Sequence, residues 1–188
     1  KFELSIEAER FIHNDLSNCA WSFQQRMQKQ INEDELAGIY QTMMASLVFC
    51  AFSVEAKVNF VGWKKLEGGW PENARLAEKL NLLYKVLGIR INWGERPLQT
   101  VSALTKLRNT LAHGKPEIAS DVVVVEEELD VWSALQSQWE ETVTPEFVNR
   151  CQDDEDLLWK TLLDAAEIEV FQTLTHGGHS LKAIVEPD

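Results

Sequence analysis

Cysteine is scarce in this chain: Cys19, Cys50 and Cys151 stand far apart, and three is an odd number. That excludes a disulfide framework and a zinc pattern built on cysteine pairs, and it points to a reducing, cytoplasmic setting. A glycine-rich phosphate loop with its Walker lysine is also missing, so Gly68-Gly69 reads as a turn. Internal repeats and low-complexity tracts are absent, and no signal-peptide pattern opens the sequence. The most apolar window, Met43–Phe52, is ten residues long, too short to span a bilayer and suited to a buried helix segment. Basic side chains nearly vanish from the last part of the chain, where residues 116–188 hold 3 against 18 acidic ones.

What is present is the composition of a folded domain. With 188 residues and 45% apolar side chains, one domain spanning 1–188 can bury a substantial core without staples. Seven tryptophans are many for this length, enough to fill a core and leave some for a partner-facing surface. The net charge of -12 is uneven: residues 1–56 carry -4, residues 57–115 carry +7 and residues 116–188 carry -15. The total argues against indiscriminate nucleic-acid binding, while the middle segment leaves room for a local basic groove.

Periodicity predicts an all-α bundle of five to seven helices. No glycine or proline interrupts Ile6 to Gln30, and Phe11, Leu16, Cys19, Phe23 and Met27 recur at helical intervals, which predicts a first helix with Ser5 as N-cap. A second runs from Asp34 to Leu66, apolar through its middle except for Glu55 and Asn59, four apart and on one face. Pro71 opens a third helix that Gly88 closes, and Pro97 precedes a fourth, striped by Leu98, Val101, Leu104, Leu107 and Leu111 and stopped by Gly114 and Pro116. Val122–Val125 suggests a short β excursion near 121–125, followed by a helix over 126–141. Thr144-Pro145-Glu146 has the look of a capped start, but the acidic run Asp153–Asp156 marks the expected N-terminus of the last long helix, which carries Leu157, Leu158, Leu162, Leu163, Ile168 and Phe171. Gly177-Gly178 is expected to end the regular structure. The best-supported core is 34–115, with an acidic helical portion over 116–176.

The chemistry gathers at the end of the fourth helix, in Lys106-Leu107-Arg108-Asn109-Thr110-Leu111-Ala112-His113-Gly114-Lys115. Asn109 and His113 are four apart and point the same way, whereas Arg108 and His113 are five apart, roughly 140° around the axis, an offset across which the arginine's reach and a frayed last turn could still bring both onto one phosphate. A histidine near neutral pKa can move the proton of a ribose 2′-hydroxyl or of a leaving oxygen. An arginine fork can clamp the phosphate as charge builds. The bland alternative is a helix stop, with His113 on the dipole and Gly114 as the left-handed cap.

Arg108-Asn109-Thr110-Leu111-Ala112-His113 resembles the Arg-x4-6-His motif of the HEPN (higher eukaryotes and prokaryotes nucleotide-binding) superfamily, with Asn109 as the polar residue after the arginine. The resemblance implies a small helical domain that dimerises and places two motifs at a shared cleft. It implies a metal-independent endoribonuclease, without cofactor, of the kind found in toxin–antitoxin, abortive-infection and related defence systems. Arg108 and His113 take the catalytic positions, Asn109 the accessory one, and Lys106 and Lys115 would bind substrate phosphate. Glu55 and Asn59 resemble the polar pair that the preceding long helix turns toward the motif. RNA or a nucleotide, a second copy of the chain, and an antitoxin or regulatory protein are the partners so implied. Some such domains bind nucleotides or proteins without cutting RNA, and that function stands as the alternative.

The remaining polar residues read more plainly. Glu55 is either a buried carboxylate paired with Arg108 or Lys57, or the group that orients His113. His176 and His179 flank two glycines, a weak metal pattern without a cysteine partner. His13 is expected at the surface of the first helix with Arg10, Cys50 in the core, and Glu126–Glu128 and Asp153–Asp156 on solvated faces.

Overall fold

The computed structural model describes residues 3–116, 118 and 135–184. Among these it forms six helices: α1 (His13–Asn32), α2 (Ile39–Leu66), α3 (Leu76–Val86), α4 (Leu98–His113), α5 (Gln138–Thr142) and α6 (Pro145–Ala166). Short 3-10 turns follow α2 and α6. Strands β1 (Glu3–Arg10) and β2 (His176–Ile184) pair antiparallel, from Glu3 opposite Ile184 to Arg10 opposite His176.

The two-stranded ribbon corrects the expected first helix. Leu4, Ile6 and Ala8 alternate with polar residues, the period of a strand and not of a helix. The helix begins only at His13, and its N-cap position is Ile12, not Ser5. Gly177 and Gly178 likewise lie inside β2 instead of ending the structure. A Cβ on Gly177 would come within 2.8 Å of Phe11 and of the Glu9 carboxylate, so the strand can pass this close to its partner only without a side chain. The valine run near 121–125, and most of the expected helix over 126–141, fall outside the described residues; α5 is its described end.

Helix α2 is the axis of the bundle. It packs on α1, α3, α4 and α6, and its buried side chains join two core clusters. Around its C-terminal half Val58, Val61, Leu80, Leu83, Val101 and Leu162 pack together. Around its N-terminal half lie Ala20, Met27, Leu47, Leu104, Leu107 and Val148. Its apolar character extends well beyond Met43–Phe52: the stretch Ile39–Gly69 is long and apolar enough by length and composition to cross a bilayer. Over half of its apolar window, 56%, is buried by the other helices, the pattern of a core helix covered on most sides.

The element boundaries have local causes. α2 starts at Ile39 and not at Asp34, because Gly38 sits at φ 73° and the Gln30 side chain ties the intervening loop by donating to the Ala37 carbonyl at 2.9 Å. α3 starts at Leu76 and not at Pro71, since Trp70 first folds back onto α2. A Cβ on Gly62 would meet its ring at 2.4 Å. α4 ends as expected, with Gly114 left-handed and its N–H on the Thr110 carbonyl.

α6 starts at Pro145, where the Thr144 hydroxyl accepts the Phe147 N–H at 3.2 Å. The acidic run Asp153–Asp156 is therefore mid-helix, and it is not a wholly solvated face. Asp154 and Glu155 are buried because cations from other elements meet them. The helix stops at Ala166, leaving Ile168 and Phe171 beyond its end.

Candidate functional site

The α4 stripe that packs inward (Leu98, Val101, Leu104, Leu107) fixes what the opposite side shows. Ser102, Lys106, Asn109 and His113 follow at spacings of 4, 3 and 4, which keeps them on one outward face. Together with Thr105, Lys115 and Trp139 of α5 they line an open hollow of about 850 Å³. Lys106, Asn109, His113 and Lys115 are all exposed there. Four of the seven residues singled out by the motif are thus brought together.

Arg108 lies outside that set. Its side chain turns toward α2, where Nη2 donates to Glu55 Oε2 at 3.0 Å. Glu55 is shared: its other oxygen is 3.7 Å from the ammonium of Lys79 on α3. Lys79 is 2% exposed, while the Arg108 and Glu55 side chains keep 26% and 32% of their surface. The Arg108 Nε is buried without a partner among the described residues. The arrangement is a cation–carboxylate–cation array, closed on the α3 side and open to solvent on the other, with one net positive charge.

The remaining two expectations are met in part. Glu55 pairs with Arg108, as one of its alternatives held; its second partner is Lys79 and not Lys57. No hydrogen bond from Glu55 to His113 is described. Asn59 does not reach the motif: its Oδ1 accepts the Trp70 indole N–H at 3.1 Å. The Gly-Gly-Trp-Pro turn after α2 brings Trp70 back over Gly62 and captures the amide first.

Several charged residues that the sequence did not mark as buried prove to be so. Lys79 was legible in principle, since it falls between Leu76 and Leu80 on the apolar face of α3. Lys57, 2 positions past Glu55 and on another side of α2, pairs with Glu155 at 2.9 Å in a sealed site. Cys50 is buried there too, its thiol 3.6 Å from Glu155, and desolvation pushes its pKa well up. Arg96 holds the buried Asp154 through its Nε–H, at 2.8 and 2.9 Å from the two carboxylate oxygens.

His13 is the largest departure from expectation. It is 1% exposed, on the same α1 face as Ala20 and Met27, and its ring packs against Phe60 and Trp159 at centroid distances of 4.7 and 5.1 Å. Burial, and then Lys57, bring its pKa down to about 4; the Thr173 carbonyl and Asp15 oppose the shift. The ring is neutral at pH 7, and its buried Nε2 is left without a partner among the described residues. His176 lies on β2 and meets Arg10 at 3.2 Å. Among the described residues no three His, Cys, Asp or Glu side chains form a group that could hold a metal ion.

Comparisons with protein-family models, with curated proteins and with solved structures give no match for this chain.

Proposed function

We propose that this chain is a HEPN-type endoribonuclease, metal-independent and active as a homodimer, that cuts single-stranded RNA at the C-terminal end of α4. In this reading the 2′-oxygen attacks the adjacent phosphorus and forms a P–O2′ bond while the P–O5′ bond breaks. The 2′-hydroxyl loses one proton and the departing 5′-oxygen gains one, leaving a 2′,3′-cyclic phosphate and a 5′-hydroxyl. His113 handles the proton of one of these oxygens. Asn109, Lys106 and Lys115 hold the phosphodiester, and Arg108 meets the charge that builds on phosphorus-bound oxygen. A toxin or phage-defence setting is the context in which such an activity would serve.

The observation that carries the reading is the shared hollow: His113, Asn109, Lys106 and Lys115 all open on it, a histidine beside an amide and two cations. Arg108 is held by Glu55 of α2 and does not line the hollow that His113 opens on, so in this arrangement one copy does not aim both at the same phosphate. A second copy of the helix supplies the missing group, which is why the reading requires a dimer. One observation favours the alternative, a non-catalytic nucleotide- or protein-binding module: Arg108 is already engaged by Glu55.

The purified chain, given a fluorescent single-stranded RNA in EDTA, should cut it. His113→Ala should slow cutting at least a hundredfold while the thermal unfolding midpoint stays unchanged, because the side chain is exposed. Equal rates for the two proteins, or no cutting by either, would transfer the case to the non-catalytic module.

A further inference from the structure

A second hollow, of about 380 Å³, opens where the end of β1, the start of α1 and the C-terminal third of α2 meet. Phe11, Phe60 and Trp63 wall it with aromatic rings: Phe11 meets Phe60 edge-on at 4.8 Å and Trp63 at a tilt, 6.2 Å away. Trp63 keeps 42% of its surface exposed although it sits on the core helix. That is more indole than packing requires.

The polar groups around these rings are specific. Asn59 has its amide oxygen fixed by Trp70, so its Nδ2 is oriented and has no described partner. It offers donors to a carbonyl or ring nitrogen. Arg10 lines the hollow, and its one described hydrogen bond is with His176 Nδ1 and not with a carboxylate. The Lys64 ammonium stands 5.1 to 5.9 Å from the centroids of all three rings. Against these two cations the described lining holds one carboxylate, Glu9, which accepts the Gly178 N–H at 3.3 Å. Buried His13 also contributes to the wall.

Stacking faces, an oriented amide donor and a surplus of positive charge together fit a planar heterocycle carrying an anion. Position supplies the rest. Asn59 lies one turn beyond Glu55 on α2, about 6 Å along the axis, and Glu55 holds Arg108. We infer that this hollow is a nucleobase subsite, in which the exposed indole of Trp63 stacks a base, Phe11 meets its edge, Asn59 reads its acceptor groups, and Arg10 and Lys64 attract its phosphate. The inference rests on the ribonuclease reading for the source of the base: a strand whose phosphate meets Arg108 places a neighbouring nucleotide here. A free nucleotide has the same chemistry.

The test is binding without cleavage. A fluorescent 2′-O-methyl oligoribonucleotide, which lacks the nucleophile, is titrated into the full chain, with AMP as competitor. Trp63→Ala should weaken the oligonucleotide about tenfold, consistent with one lost base stack, and Trp63→Phe should restore most of it. An oligonucleotide carrying 4-thiouridine should cross-link to Phe11 or Trp63 in the unaltered protein, a readout independent of any variant's folding. Competition by AMP with cross-linking at these rings assigns the hollow to free nucleotides as well as strands; cross-linking without AMP competition assigns it to strands alone. Cross-links confined to other residues, affinity unchanged by Trp63→Ala, or no binding of either probe would overturn the inference. Failure here and failure of the ribonuclease reading are separable. If His113→Ala binds normally and no protein cuts, the catalytic reading falls and the subsite stands. If cutting occurs but neither cross-linking nor affinity involves Trp63, the subsite falls alone.

Discussion

Two carboxylate–cation contacts hang from α2, two residues apart, and they have opposite characters. Lys57 and Glu155 are sealed, at 4% and 0% side-chain exposure, while Glu55 and Arg108 remain a quarter to a third exposed. The sealed pair lies on the side covered by α1 and α6. There the desolvation of two ions roughly cancels their attraction, so the pair specifies an arrangement more than it stabilises the fold. The open pair holds an arginine at the surface beside a second, buried lysine, with one charge in excess. One helix thus supplies a sealed contact on its covered side and holds a partly exposed cation on its other side.

Breaking the sealed pair should have the largest effect. Glu155→Ala leaves Lys57 charged and buried, and the expected loss is about 3–5 kcal/mol in urea unfolding. The double variant Lys57→Met, Glu155→Leu should recover most of that loss. If the single and double variants are equally unstable, the pair is a net source of stability and the contrast with the open side weakens.

His13 extends the sealed region and makes it sensitive to acid. The unfolded chain takes up a proton near pH 6.5, whereas the folded ring accepts one only near pH 4. The stability that this neutral histidine secures is therefore complete above pH 6.5 and is lost as the pH falls toward about 4. The loss over that window is on the order of 2–3 kcal/mol. His13→Leu should show a shallower fall over the same range; parallel curves for the two proteins would contradict the assignment.

The smallest effect on stability belongs to the open side. Arg108→Ala should cost roughly 1 kcal/mol or less, because Glu55 keeps Lys79 as a partner and solvent reaches the site. The difference from the parent protein should shrink as salt is added. A loss as large as that of Glu155→Ala would mean that Arg108 is an internal structural group, and the proposed site would lose its arginine.

The helical parts that were legible share a feature: their signals are local. The Leu98–Leu111 stripe and the Gly114 stop lie within one segment, so the residues of α4 alone decide its length and place His113 in the last turn. The Glu55–Arg108 contact was foreseen as an alternative because a carboxylate in an apolar helix requires a cation. The start of the last helix was misplaced where two local signals competed, and the Thr144 cap with Pro145 prevailed over the acidic run. The ribbon was missed although Leu4, Ile6 and Ala8 alternate, because a strand needs a partner, and that partner is the far end of the chain.

By itself, then, the sequence determined the elements whose causes are near neighbours: α4, its glycine cap, and the face that gathers Ser102, Lys106, Asn109 and His113. Only the tertiary structure decided which charges are hidden. Lys57, Lys79, Asp154 and Glu155 resemble surface residues in composition, and each is buried because an opposite charge from a distant element meets it. Packing likewise decided that the Asn59 amide oxygen is taken by Trp70 and that His13 is enclosed by aromatic rings. The cost of burying a charge or a polar group depends on what stands opposite it, and that is set by packing between elements.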